Sequence, residues 1–175
     1  INPSGKLPLT VARTVGQLKM FYNHKHSMYF RDYAMQTNKP LYSFGFGLSF
    51  TKFDISTPKL NGSKFKNGSL SVSVIVKNIG EIYGDEIVQL YISDKYSSIT
   101  RPVKELKAYQ RVSLKPGESK EIVFELNKSA FAYYDSEMNY VVEAGDFDIL
   151  VGNSSRDEDL KNTNFNIEKT FYLRD

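Results

Sequence analysis

The chain has 175 residues, with 23 Lys and Arg against 20 Asp and Glu, no Cys, no Trp, and aromatics drawn from 12 Tyr and 12 Phe. Without Cys there are no disulfides, zinc-finger sites or thiol catalysis, and no run of 18 apolar residues is present to cross a bilayer as a helix. A composition 41% apolar and 25% charged is that of a globular protein, and the length suits one domain plus an appendage.

The charge is unevenly placed. Residues 1–60 hold eight basic side chains (Lys6, Arg13, Lys19, Lys25, Arg31, Lys39, Lys52, Lys59) and two acidic ones (Asp32, Asp54), so the remaining residues carry the acidic excess. Because these cations stand singly among Pro, Gly, Tyr and Phe, no nucleic-acid arm is expected. Two pieces of different character fit better. The opening Ile1-Asn2-Pro3-Ser4-Gly5-Lys6 has no apolar run of the signal-peptide kind, and the missing initiator Met suggests a processed or truncated chain.

Within residues 1–47 neither a 3.6 nor a 2.0 period persists, and Pro3, Pro8, Pro40, Gly5, Gly16, Gly45 and Gly47 interrupt any element. So long an irregular stretch does not belong inside a compact domain. Its many aromatics, Phe21, Tyr22, Tyr29, Phe30, Tyr33, Tyr42, Phe44 and Phe46, are nevertheless costly to leave in water. The stretch is therefore expected to be a strap packed on the rest of the chain, on a partner or on a further domain.

From about Gly68 the period becomes two. Leu70, Val72, Val74 and Val76 alternate with more polar residues, as in a half-buried strand. Asp85–Ser93 is apolar on both parities, which predicts a central strand covered on both faces. Val103–Leu114 reads as one or two strands, followed by a Lys115-Pro116-Gly117-Glu118 turn. Ile122, Phe124 and Leu126, then Phe147, Ile149 and Val151, then Phe165, Ile167, Phe171 and Leu173 repeat the spacing. Short strands with Gly and Asn turn signals between them predict an all-β fold, an immunoglobulin- or fibronectin-III-like β-sandwich over residues 48–175 with an irregular N-terminal strap.

Asn2-Pro3-Ser4-Gly5-Lys6-Leu7-Pro8, Val15-Gly16-Gln17 and Tyr22-Asn23-His24-Lys25 resemble the end of the second catalytic domain of glycoside hydrolase family 3. Pro40-Leu41-Tyr42-Ser43-Phe44-Gly45-Phe46-Gly47-Leu48-Ser49-Phe50 resembles the junction into that family's fibronectin type III-like domain, with Ser43 where a Pro is usual. Gly84-Asp85-Glu86-Ile87-Val88-Gln89-Leu90-Tyr91, Arg101-Pro102-Val103-Lys104-Glu105-Leu106, Leu114-Lys115-Pro116-Gly117-Glu118 and Glu143-Ala144-Gly145 continue the likeness in the family's order.

The resemblance implies residues 1–47 as the terminal segment of the catalytic domain and 48–175 as the fibronectin-like domain. The parent would be a retaining exo-β-glycosidase, most often a β-glucosidase, secreted or periplasmic. Its partners would be the upstream catalytic domains and an oligosaccharide, with no nucleic acid, membrane, cofactor or metal. Retaining hydrolysis needs two carboxylates, a nucleophile and an acid/base. The family places both upstream of these residues, so no catalytic residue is expected here. A free-standing polysaccharide- or protein-binding module is the alternative.

Four residues are candidates for the rim of the parent's sugar pocket. His24, Lys25 and Arg31 are hydroxyl-binding donors, and Tyr22 offers an aromatic face; the competing reading is loop-fixing hydrogen bonds and interface packing. Asp135 with Glu137, Asp146 with Asp148, and Asp157-Glu158-Asp159 are oxygen-rich enough to raise a Ca²⁺ site, although Asp146 and Asp148 fit a solvated strand face. Arg101, Lys104 and Glu105 are expected either to dock on the catalytic domains or to pair at the surface. Sequons stand at Asn61, Asn67, Asn127 and Asn153, all expected in loops.

Overall fold

A computed structural model describes residues 1–17, 20–26, 37–62, 65 and 69–173. Among the described residues, eleven strands carry the fold: β1 (Phe53–Ile55), β2 (Lys59–Leu60), β3 (Ser69–Asn78), β4 (Gly84–Asp94), β5 (Glu105–Leu114), β6 (Ser119–Asn127), β7 (Tyr133–Tyr134), β8 (Tyr140–Val142), β9 (Gly145–Gly152), β10 (Leu160–Ile167) and β11 (Phe171–Tyr172). In one main sheet β3 lies between β6 and the short β1 and β2, all antiparallel. The other runs β10-β9-β4-β5, and β11-β8-β7 forms a small third ribbon. No described helix is long and apolar enough to cross a membrane.

The period-two pattern sets the sandwich. Leu70, Val72, Val74 and Val76 of β3 and Ile122, Phe124 and Leu126 of β6 face Val88, Leu90 and Ile92 of β4 and Phe147, Ile149 and Val151 of β9, all in one buried cluster. Successive side chains of a strand point to opposite faces, so the intervening residues fall outside it. Asp146 and Asp148, on that outer face, accept hydrogen bonds from the Asn166 and Asn164 side chains across the β9–β10 ladder. The turn into β6 is the expected one: Gly117 has φ +74°, which an L side chain adopts only with strain.

Phe131 closes the end of the core. The Asn127 carboxamide accepts from the Ala130 N–H at 3.2 Å and caps a single 3₁₀ turn, Lys128–Ala130, which delivers Phe131 inward. Its ring meets Phe65 and Phe147 edge-on, with centroids 5.5 and 5.3 Å apart. Such pairs add to the burial gained by area alone.

Of the two alternatives for Arg101 and Lys104, docking or surface pairing, the second fails: each is only 8% exposed. Arg101 donates to Asp94 at 3.3 Å, to Glu105 at 2.7 Å and to the Phe131 carbonyl at 3.0 Å, and its guanidinium lies 4.7 Å from the centre of the Tyr133 ring. A periodicity argument puts charge outside; here a planar five-donor group is satisfied inside by two carboxylates and a carbonyl. Burial pushes the Asp94 carboxyl above its ordinary range, and Arg101 opposes that shift.

Two outcomes follow from these contacts. Phe131→Ala is expected to lower unfolding stability by about 3–5 kcal/mol in urea denaturation. Arg101→Met, which strands a buried carboxylate, is expected to cost about 3–5 kcal/mol at pH 7. An acid with a raised folded pKa binds its proton more tightly in the folded state, so stability falls as pH rises through that value. The Arg101→Met loss should therefore be smaller at pH 5 than at pH 7 in parallel urea titrations.

Candidate functional site

The strap lies on the outer face of the β4 sheet and builds a short ladder with itself. The Leu7 N–H donates to the Phe46 carbonyl, the Gly45 N–H to the Leu7 carbonyl and the Val11 N–H to the Tyr42 carbonyl, each at 2.8 Å. Residues 7–11 thus run beside 41–46, and the Gln17 side chain ties the next loop by accepting from the Arg13 N–H and donating to the Thr37 carbonyl. Backbone groups that no regular element could pair are paired across the strap.

Several groups of contacts among the described residues join strap to sandwich. Tyr22 stacks on Phe44 with centroids 4.2 Å apart, meets Tyr91 of β4 edge-on at 5.7 Å, and accepts at its hydroxyl from the Leu106 N–H of β5 at 3.2 Å. Lys6 pairs with Glu86 of β4 at 2.7 Å, both largely shielded from solvent. The Ser155 N–H donates to the Phe44 carbonyl at 2.9 Å. At the far end Lys25 forms an antiparallel bridge with Pro102, and the Val103 N–H donates to the His24 carbonyl at 2.9 Å.

Between strap and sheet opens a cleft of about 740 Å³, whose walls include Arg13, Tyr22, His24, Tyr42, Lys104 and Arg156. Its carboxylates are engaged by cations. Asp157 takes a 2.5 Å bond from Lys104, which also donates to the Ser155 carbonyl, and Asp148 lies 3.2 Å from Lys95. Arg156 grips Asp159 through two nitrogens, at 2.9 and 3.0 Å, and this pairing holds the Arg156 pKa above its ordinary value. Ser154 also bonds Asp159, so the Asp157-Glu158-Asp159 run is folded onto protein donors. Asp135 accepts the Glu137 and Asn139 N–H groups, each at 2.9 Å, in the turn between β7 and β8. Among the described residues no group of three His, Asp or Glu is placed to hold a metal ion.

Of the four rim candidates, Tyr22 and His24 line the cleft. One face of Tyr22 is covered by Phe44, and the His24 Nδ1 lies 3.0 Å from the Lys25 carbonyl oxygen. Lys25 is exposed outside the cleft wall, and Arg31 lies outside the described residues. The Asn153 sequon is half-buried, with its amide nitrogen 3.2 Å from Glu86, whereas Asn61 is exposed in a bend and Asn127 caps the turn before Phe131. Asn67 lies outside the described residues. Lys6, Glu86, Gln89 and Arg156 escaped the sequence reading. The one available signal was Gln89, a polar residue within a run apolar on both parities.

Tyr22 is the aromatic link between strap and β4. Tyr22→Leu removes both ring pairs and is expected to speed tryptic cleavage after Arg13 and Lys25 by about tenfold, while Tyr22→Phe has a smaller effect.

A fibronectin type III-like domain model matches residues 86–155. The chain is 39% identical over 170 residues to a putative β-xylosidase of Formosa agariphila, covering 97% of this chain and 22% of that protein. It is 37% identical over 162 residues to a periplasmic β-glucosidase of Salmonella typhimurium, covering 86% of this chain and 21% of that one. A solved β-glucosidase from Erythrobacter marinus superposes with a TM-score of 0.88 at 41% identity, over 95% of this chain and 22% of its own. The chain thus spans about a fifth of the length of each of these relatives. Strap and sandwich match together, and the chain belongs to glycoside hydrolase family 3 as the C-terminal portion that carries the fibronectin type III-like domain.

Proposed function

We propose that the chain serves a retaining exo-β-glycosidase, a β-glucosidase or β-xylosidase, as its non-catalytic C-terminal portion. Residues 1–47 are the terminal segment of the adjoining catalytic domain, and residues 48–175 are the domain that supports it. The observation that carries this reading is the joint match of strap and sandwich to enzymes about five times longer, at 95–97% coverage of this chain. A segment inherited with the sandwich and bonded to its outer sheet face fixes where the upstream domain sits.

The chemistry agrees. Retaining hydrolysis needs one carboxylate free to attack and a second free to exchange protons. Asp148, Asp157 and Glu158 at the cleft lie instead beside Lys95, Lys104 and Arg156, positions suited to holding structure. His24, Lys25, Arg31 and Tyr22 would stand at the rim of the parent's sugar pocket, contributing hydroxyl donors and ring surface. The periplasmic relative supports export of the parent to the periplasm or outside the cell.

The chain alone is expected to show no turnover of aryl β-glucosides or β-xylosides above background; turnover would overturn the non-catalytic reading. Joined to the upstream region of the Formosa agariphila β-xylosidase relative, it should give an active, soluble enzyme. Inactivity of that chimera, beside an active parental control, would count against the supporting role.

A further inference from the structure

The Gln89 side chain is 3% exposed and Tyr91 is fully buried, and both point away from the hydrophobic core of the sandwich. The Tyr91 hydroxyl donates to the Gln89 Oε1 at 2.5 Å. The Gln89 Nε2 donates to the Gly45 carbonyl of the strap at 3.1 Å and to the Asn153 carbonyl at the end of β9 at 2.8 Å. Both amide protons are used on backbone carbonyls, one of which belongs to the strap, so the side chain recognises the path of the strap and not the identity of its side chains. Asn153 extends the network: its side chain donates to Glu86, whose other oxygen holds Lys6. The two limbs of the strap ladder, at Lys6 and at Gly45, therefore meet on one chain of polar contacts.

The strap backbone is shaped for this contact. Gly45 has φ +76°, and a Cβ built there would overlap the Gln89 carboxamide. Glycine is required twice, for the left-handed backbone and for the close approach. Gln89 also fixes the Tyr91 ring, which is the edge-on partner of Tyr22.

We propose that Gln89 is a positioning residue that registers the strap on the sheet, and that its loss releases the strap as a unit while leaving the sandwich folded. Val88, Leu90 and Ile92 pack the opposite face of β4 and belong to the core without the strap. The inference concerns attachment alone and stands whether or not the chain serves a glycosidase.

Hydrogen exchange of the whole chain tests it. In Gln89→Leu the amides of Leu7, Val11 and Gly45 should exchange at least about tenfold faster, while the β3–β6 ladder stays within about twofold of the unaltered protein. Gln89→Glu, nearly isosteric but with no donors for the Gly45 and Asn153 carbonyls when ionised, should release the strap to a similar extent. Unchanged strap exchange, equal acceleration of strap and β3–β6 ladder, or a Gln89→Leu chain that does not fold would each overturn the proposal. Gly45→Ala supplies an independent arm. Its acceleration of strap exchange should be about fivefold larger beside Gln89 than in a Gln89→Ala background, where the Cβ has room. Equal effects in both backgrounds would show no coupling and overturn it.

Discussion

Strand β4 runs with the sandwich core on one face and the strap on the other, and this double burial constrains both the sheet and the segment that covers it. Val88, Leu90 and Ile92 fill the core, while Gln89 and Tyr91 face outward and are nonetheless buried. An uncovered face would leave the Tyr91 ring in water; a cover without a matching acceptor would leave one Gln89 amide proton unsatisfied, at about 1–3 kcal/mol. The strap meets both demands, with Tyr22 and Phe44 as ring surface and the Gly45 carbonyl as acceptor. A buried hydroxyl held this way stays protonated, and burial drives its pKa up.

The buried charges divide into two groups with different physical roles. Arg101, Asp94 and Glu105 lie within the sandwich, beside the Phe131 carbonyl and the Tyr133 ring, and tie the start of β5 to the end of β4. Lys6 with Glu86 lies where strap meets sheet, and Lys104, on the sandwich side of the cleft, holds the Ser155 carbonyl and the exposed Asp157. Desolvation offsets much of the Coulomb gain of such pairs, so their larger contribution is geometric: a strap slid by one residue would strand a charge without a partner. An apolar interface alone tolerates sliding, and these polar contacts remove that freedom.

The fold is largely legible in the sequence. Alternation at Leu70–Val76, Ile122–Leu126 and Phe147–Val151 marked β3, β6 and β9, and the two-sided apolar run at Asp85–Ser93 marked the central β4. The strands β1, β2, β7 and β8 are two or three residues long, too short to show a period; β1 and β2 form on the edge of the longer β3, while β7 and β8 pair with each other and β8 also with β11. The candidate site was less legible. Tyr22 and His24 line the cleft, yet the residues that attach the strap, Gln89, Glu86 and Lys6, sit far apart in sequence and within ordinary strand or loop patterns.

The sequence by itself determined the sheet-forming segments, the all-β class and the break in character near Gly47, because these rest on local periodicity and turn chemistry. Only the tertiary structure decided that Arg101 and Lys104 turn inward, that Asn153 is tied to Glu86, and that the Gly45 carbonyl meets Gln89. Each depends on which distant backbone carbonyl or carboxylate comes within hydrogen-bond reach, and such pairing has no period along the chain. The strap's place on β4 is the clearest instance: forty-four residues separate Gly45 from Gln89, and one carboxamide joins them.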